Sequence, residues 1–453
     1  MQSILEEAVK RSWADYLEIR WEETKRTNVH YVGKELEDIG ENINTGGCVR
    51  AQVRGGWGFV SFNNLDKINK YVQIAIKEAN LVGKERSLLA DVEVIKDKVR
   101  LNLKKDPRRV PLEEKQRLME RYNKIILSYP KIQSSNVRYR DIWTKKYFVN
   151  SQGANIFQEK VDVGLGFTAI AREGGNIQQA NFGLGGIDGE QVVEGLEDKV
   201  EEITKVALDS LSAQPISGGR WTVITDPELS GLFAHEAFGH MSEGDFLYEN
   251  KEMQDLMKLG KRFGKDYLNI IDDGGLPSLQ GTQRYDDEGV PTQRTYLIKD
   301  GVLSSRLHSR ETAYKMKEKV TGNARAINYR YSPIVRMTNT FIDKGEFSFE
   351  EMLEGIEEGI YAKGDRGGQT NCELFTFGAR EAFLIEKGKI TKRLRDVVLS
   401  GNIFETLENI EKIGDRVVFF GGVGGCGKAG QSPLPISLGG PHLKIRDVMV
   451  GGR

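Results

Sequence analysis

Residues 221–245 read WTVITDPELSGLFAHEAFGHMSEGD, and the way this stretch folds decides where the chain can do chemistry. WTVIT has the composition of a short strand, and Asp226-Pro227 then supplies a helix N-cap followed by proline at the first helical position. The helix so started carries two of the five histidines, His235 and His240, with Glu236 beside the first. Zinc-protease helices space their imidazoles as H-E-x-x-H, one turn apart, so that both reach one ion. Here the histidines are five apart, which on a regular α-helix leaves the rings about 140° apart around the axis. One extra residue in the turn, a π-bulge, returns them to one face, and Gly239 is where the backbone deforms most readily. The stretch therefore predicts a helix that is bulged or broken around Gly239.

Two imidazoles do not complete a catalytic zinc site, which holds three protein ligands and keeps one position open. The candidates for the third are Cys426, Cys372, His308, His442, Glu243 and Asp245. Cys426 stands first because it lies in a Gly-rich loop, FFGGVGGCGKAGQSP (419–433), whose bare backbone lets a thiolate approach an ion closely. Glu236 occupies the place of the metalloprotease general base. RYDDEGVPTQRT (284–295) is oxygen-rich, and an acidic, solvated loop is the expected reading ahead of a cation site. The Gly-Lys of the carboxyl-terminal loop is followed by Ala429, which breaks the phosphate-loop pattern.

Outward from the motif helix, three units are expected. Residues 1–84 read as helix, strands, helix, with a hairpin in GGCVRAQVRGGWGFVSF (46–62) and an amphipathic helix ending near Gly83. The same order recurs over 105–214, so the two form a weak structural repeat, with the charged stretch KDKVRLNLKKDPRRVP (96–111) as the linker between them. From 219 to 453 the chain is a large, mainly antiparallel β-rich domain that carries the motif helix, with hairpins at Asp300-Gly301 and Lys387-Gly388. The fold class is α+β.

With 65 basic against 66 acidic residues in 453, the net charge of −1 gives no reason to expect nucleic acid or an anionic membrane as a partner. No run approaches 18 apolar residues and the start lacks a signal-peptide pattern, so a soluble, cytoplasmic protein is expected. Three distant cysteines, Cys48, Cys372 and Cys426, do not make a disulfide framework and fit a reducing compartment.

Together with HEAFGHMSEGD (235–245), the segments GGCVRAQVRGGWGFVSF, YDDEGVPTQ (285–293), TGNAR (321–325), SPIVRMTNT (332–340), FGAREAFLIEKGKIT (377–391) and GGVGGCGKAGQ (421–431) resemble, in this order, the TldD/PmbA family of zinc peptidases. The histidine motif, which the PmbA branch typically lacks, is what points to the TldD branch. The resemblance implies zinc held by His235, His240 and Cys426, with Glu236 as general base, in a carboxyl-terminal catalytic domain. It also implies a cavity that excludes folded proteins, unfolded peptide substrates, and a homodimer or a heterodimer with a PmbA-type paralogue. Cys48 and Cys372 match no ligand position, and Arg325, Arg336 and Asn339 are candidates for supporting the site or substrate carbonyls. Two other readings stay open: a non-catalytic peptide-binding subunit with a structural zinc, and a thiol enzyme with Cys426 as nucleophile.

Overall fold

Period-two alternation builds the amino-terminal half. The computed structural model describes residues 1–10, 13–85, 87–371 and 373–451. Helix α1 (Gln2–Lys10) precedes strands β1 (Tyr16–Val32), β2 (Glu35–Val53) and β3 (Gly56–Phe62), then helix α2 (Ile68–Val82). After β4 (Lys96–Val99), helix α3 (Leu112–Leu127), strands β5 (Ile132–Asn150), β6 (Asn155–Glu173) and β7 (Asn176–Gly186) and helix α4 (Glu197–Asp209) repeat the order. Leu17, Ile19, Val49 and Ala51 point to the face that packs with residues of α1 and α2. Val137, Tyr139, Val163 and Leu165 do the same against α3 and α4. Each apolar stripe buries one sheet face against helices, as a one-sided antiparallel sheet requires.

The two repeats share a single sheet, ordered β3-β2-β1-β5-β6-β4, with β7 also on β6. The joint is the long antiparallel pairing of β1 with β5, from Glu18↔Asn150 to Val32↔Asn136. The charged stretch expected as a linker is more than a connector, because its residues 96–99 form β4 and pair in parallel with β6. Edge pairing of this kind leaves no periodicity in so short a segment.

The opposite face of this sheet carries Glu18, Arg20, Glu22, Arg140, Lys146 and Asp162, and it is covered by the carboxyl-terminal half instead of by water. Arg20 donates to the carbonyls of Asn328 and Tyr331, both at 3.1 Å.

Two larger sheets form the carboxyl-terminal half. A six-stranded sheet runs from Val302–Leu303 through Ile270–Asp273 and Asn339–Ile342 to Val418–Phe420. In the other, strands Glu358–Asn371, Gly219–Thr225, Leu443–Gly451, Val398–Asn402 and Leu374–Glu386 pair in a closed ring, since the first and last also pair with each other. Both expected hairpin turns have positive φ at both central residues, 50° and 75° at Asp300-Gly301 and 50° and 71° at Lys387-Gly388. Leu229, Phe233, Ala237 and Phe238 of the motif helix share a core with Met337 of the first sheet's approach and with Phe375 and Phe377 of the second. The metal-motif helix is thus buried among strands that fix its position. Among the described residues no helix is long and apolar enough to cross a membrane, which says nothing of a β-barrel.

Candidate metal centre

The motif helix begins as its sequence dictates. Asp226 accepts the Leu229 N–H at 3.0 Å, Pro227 opens helix α5 (Pro227–Leu232), and the chain then widens into a π-helix over Phe233–Gly239. The His240 N–H reaches the His235 carbonyl five residues back, and a 3₁₀ turn, His240–Ser242, follows. The widened turn brings the two rings to 5.1 Å between centroids, the convergence that the five-residue spacing demanded.

Gly239 has a different reason from the expected one. Its φ of −58° and ψ of −52° are ordinary helical values. A Cβ there would stand 2.1 Å from the Met337 Sδ, so close packing, and not backbone freedom, favours glycine.

Cys426 enters from a hairpin, Cys426–Lys428 with Gln431–Leu434. Gly425 precedes it where a Cβ would lie 2.4 Å from the Leu434 carbonyl oxygen, which lets the two strands close around the cysteine. Ligand atoms of His235, His240 and Cys426 all fall within 4.8 Å of one another. The Cys426 Sγ is 3.3 Å from His240 Nε2, while His240 Nδ1 is 3.0 Å from a Glu243 oxygen. His235 is buried, and its Nδ1 has no hydrogen-bond partner. A buried ring nitrogen without a partner, beside a second imidazole and a thiol, is a nitrogen and sulfur donor set that fits a transition metal of the zinc type.

The electrostatics run the same way. Burial opposes ionisation of the Cys426 thiol, but His235 and His240 outweigh it and bring its pKa down to about 5. Burial likewise disfavours charge on His240, yet the Cys426 sulfur and the Glu243 carboxylate push its pKa up to about 10. Glu243 is buried as well, and Lys428 and His240 hold its carboxyl below the usual range. Lys428 lies 2.9 Å from Glu243 and 2.6 Å from Asp245, tying the cysteine hairpin to the end of the motif helix. From below, the fully buried Arg336 donates to the carbonyls of Cys426 at 2.7 Å and Gln431 at 3.2 Å.

Glu236 is half-buried, its carbonyl accepts from the Thr370 hydroxyl at 3.3 Å, and its charge is among the influences that raise the Asp365 pKa after burial itself. The remaining candidates lie elsewhere or do other work. Cys372 lies outside the described residues. His308 contacts Thr312 at 3.0 Å and Glu318 at 3.1 Å, and His442 contacts the Tyr361 hydroxyl at 3.1 Å. Glu243 and Asp245 serve as partners of His240 and Lys428. Arg325 donates to the Pro435 carbonyl at 2.8 Å, next to the cysteine hairpin, whereas Asn339 joins the Asp273 carbonyl at 2.7 Å and the Gly281 N–H at 3.0 Å, away from it. Cys48 is buried in β2, where burial pushes its pKa up to about 11. Arg336 supports the cysteine hairpin, as its candidacy anticipated, whereas the roles of Glu243 and Lys428 were not foreseen; a carboxylate three residues after His240 was the available signal, since such pairs share a helix face.

The acids of the loop at 284–295 are not solvated. Asp286, Asp287 and Glu288 are buried, and each is taken up by protein donors. Asp286 accepts the N–H groups of Glu288, Val290 and Ala324 at 2.9–3.0 Å. Asp287 pairs with Lys146 at 2.6 Å, and Glu288 pairs with Arg50 at 3.1 Å. The amino-terminal sheet supplies the cations, so burial costs these charges less than it would alone.

Comparison with known proteins agrees with this geometry. Residues 17–79, 105–211 and 218–452 match domain 1, the central domain and the C-terminal domain of the PmbA/TldA metallopeptidases. The chain is 43% identical to a metalloprotease of Synechocystis sp. over 98% of its own length and 96% of the other's. It is 30% identical to a zinc metalloprotease TldD homologue of Saccharolobus solfataricus over 97% of each. Its fold matches that of TldE from Thermococcus kodakarensis with a TM-score of 0.79 over the whole of both chains, at 19% identity. The chain belongs to the PmbA/TldD metallopeptidase family.

Proposed function

We propose that the protein is a zinc endopeptidase acting on extended or unfolded peptides and small proteins, with His235, His240 and Cys426 as metal ligands and Glu236 as general base. The observation that carries this reading is the π-helical turn, which brings two imidazoles and a thiol into one cluster and leaves a glutamate next to the first histidine. When bound, zinc supplies Lewis acidity toward the scissile carbonyl and toward the attacking water. Glu236 takes the proton from that water and returns it to the leaving amine. Glu243 fixes the His240 ring through Nδ1, so that Nε2 faces the cluster. Arg336 and Lys428 hold the cysteine hairpin against the helix.

The strand Glu358–Asn371 passes Glu236, and its residues 363–371 are paired by strand Leu374–Glu386 on one side only. An extended peptide adding to that edge would be read through its main chain, which predicts loose sequence selectivity. The TldE likeness supports a second chain of the same fold as the assembly partner, either another copy or a PmbA-type paralogue. A thiolate ligand supports a reducing, cytoplasmic setting.

The test is zinc content and cleavage of an unstructured peptide in the wild type and in Glu236→Ala. Zinc retained with cleavage reduced about 10²- to 10⁴-fold is expected. Full activity in the variant would sink the reading, and activity that survives chelation but is abolished by alkylating Cys426 would replace it with a thiol enzyme.

A further inference from the structure

A cavity of about 650 Å³, whose lining includes none of His235, His240 and Cys426, lies between the polar face of the amino-terminal sheet and the carboxyl-terminal half. Its floor is the alternation set that points away from the helices: Thr24 and Arg26 of β1, Arg140 and Thr144 of β5, Lys160 and Asp162 of β6. Its roof includes residues 325–330 and 432–435. Leu434 in that roof is the strand partner of Cys426, so one wall of the cavity is the back of the cysteine hairpin. Arg140 on the floor donates to the Val423 carbonyl at 2.7 Å, three residues before Cys426.

Five acids, Glu159 and Asp188 among them, stand against eight basic residues in this lining, and Glu22, Asp162 and Asp287 already have donors. Asp162 accepts from Arg140 at 3.2 Å and from Gln280 at 3.1 Å. Glu22 accepts the Tyr329 N–H at 2.9 Å and lies 2.9 Å from Arg20, and Asp287 is held by Lys146. The cations are less well matched. Lys160 donates to the Gln280 carbonyl and has no ion-pair partner among the described residues. Arg140, 4% exposed, has its Nε buried without a hydrogen-bond partner, and so has Gln283 at its Nε2. Lys160 is enclosed by protein yet keeps surface open to the cavity. Burial, with Arg325 and Lys146 adding to it against Asp162, brings its pKa down to about 7. Burial and the neighbouring Arg336 bring Arg325 down to about 10. Unpaired donors and under-compensated cations around one cavity make it a place for an anion.

We infer that this cavity receives the carboxyl-terminal end of a peptide, whose terminal carboxylate pairs with Lys160. The inference rests on the peptidase reading for the choice of ligand. The volume is in the range of ligand sites, larger than a lone carboxylate needs, and the walls beyond the cations are apolar at Ile142, Leu101, Leu103, Ile327 and Pro433, as a chain segment with one charged end requires.

The test uses the full chain freed of metal by a chelator, so that nothing is cleaved, and an unstructured peptide labelled at its amino end, offered as the free acid and as the carboxyl-terminal amide. Fluorescence anisotropy is expected to show the acid binding about tenfold tighter than the amide. Lys160→Gln should bring the acid to the amide's affinity, and Lys160→Arg should restore much of the preference. Equal binding of acid and amide by the wild type overturns the inference without recourse to any variant. So does a preference that persists undiminished in a folded Lys160→Gln protein. Sodium acetate competing as tightly as the peptide acid would overturn it in favour of a small free acid. Cleavage that depends on Glu236 alongside equal acid and amide binding would remove this inference and leave the peptidase standing. An acid preference with no cleavage in any preparation would do the reverse.

Discussion

Two buried clusters of ionisable groups differ in how they are satisfied. Around Asp286, Asp287 and Glu288, every carboxylate meets backbone N–H groups or basic side chains of the amino-terminal sheet. Around His235, His240 and Cys426, a thiol and two imidazoles converge and one ring nitrogen is left without a partner. A polar cluster that closes on itself is an interface, whereas one that leaves donors facing a common point is a site.

Removing a member from each cluster should break them in different ways, and the largest effect belongs to the site. Cys426→Ala is expected to take bound zinc from about one per chain to none and to lower peptide cleavage at least about 10³-fold, while the urea midpoint of the metal-free protein hardly moves. Metal analysis beside denaturation curves reads both, and zinc retained at full stoichiometry would contradict the ligand assignment. Asp287→Ala should do the opposite. It takes from Lys146 and Arg20 one of their two counter-charges and leaves Glu22 to serve both, which costs on the order of 2–3 kcal/mol of stability. Folded variant should bind zinc as tightly as the wild type. A large loss of zinc affinity in Asp287→Ala would mean that the two clusters are not independent.

A smaller change sharpens the comparison from within the site. Glu243→Gln keeps the shape of the side chain but removes the charge that holds His240 Nδ1 and pairs with Lys428. Zinc affinity is expected to fall about 10- to 100-fold, with the stoichiometry still reaching one at saturating metal. Competition against a chromophoric chelator measures it. Unchanged affinity would reduce Glu243 to a packing role.

How much of this could be read in the sequence depended on the range of the interaction. The Asp226-Pro227 start, the two glycine turns and the period-two stripes of β1, β5 and β6 are local, and the structure has them where the residues require. The π-turn was legible because the five-residue spacing is incompatible with a shared ion on a regular helix. The third candidate ligand was not fixed by any spacing, since Cys426 and His240 meet across 186 residues. For the same reason the acidic loop was misjudged: Asp287 and its Lys146 partner are 141 residues apart, and an unpaired run of acids in a sequence looks solvated. Gly239 was assigned the wrong cause, because a close approach by Met337 leaves no trace in the local pattern.

The smallest effect concerns a third kind of buried imidazole. His442 is covered by Phe349 and contacts the Tyr361 hydroxyl. Burial, and then the nearby Lys363 charge, bring its pKa down to about 4, with Asp415 opposing. An unfolded chain would titrate this group near its ordinary value of about 6.5, so between about pH 4 and 6.5 the unfolded state binds the extra proton. Stability must therefore rise with pH across that window and fall on acidification, by at most about 3 kcal/mol from this residue. His442→Gln should flatten that part of the stability-versus-pH curve while leaving zinc binding at pH 7 untouched. A slope unchanged by the substitution would show that His442 is not held neutral by its surroundings. Satisfaction by a tyrosine hydroxyl would then not distinguish it from His235, whose ring nitrogen has no partner.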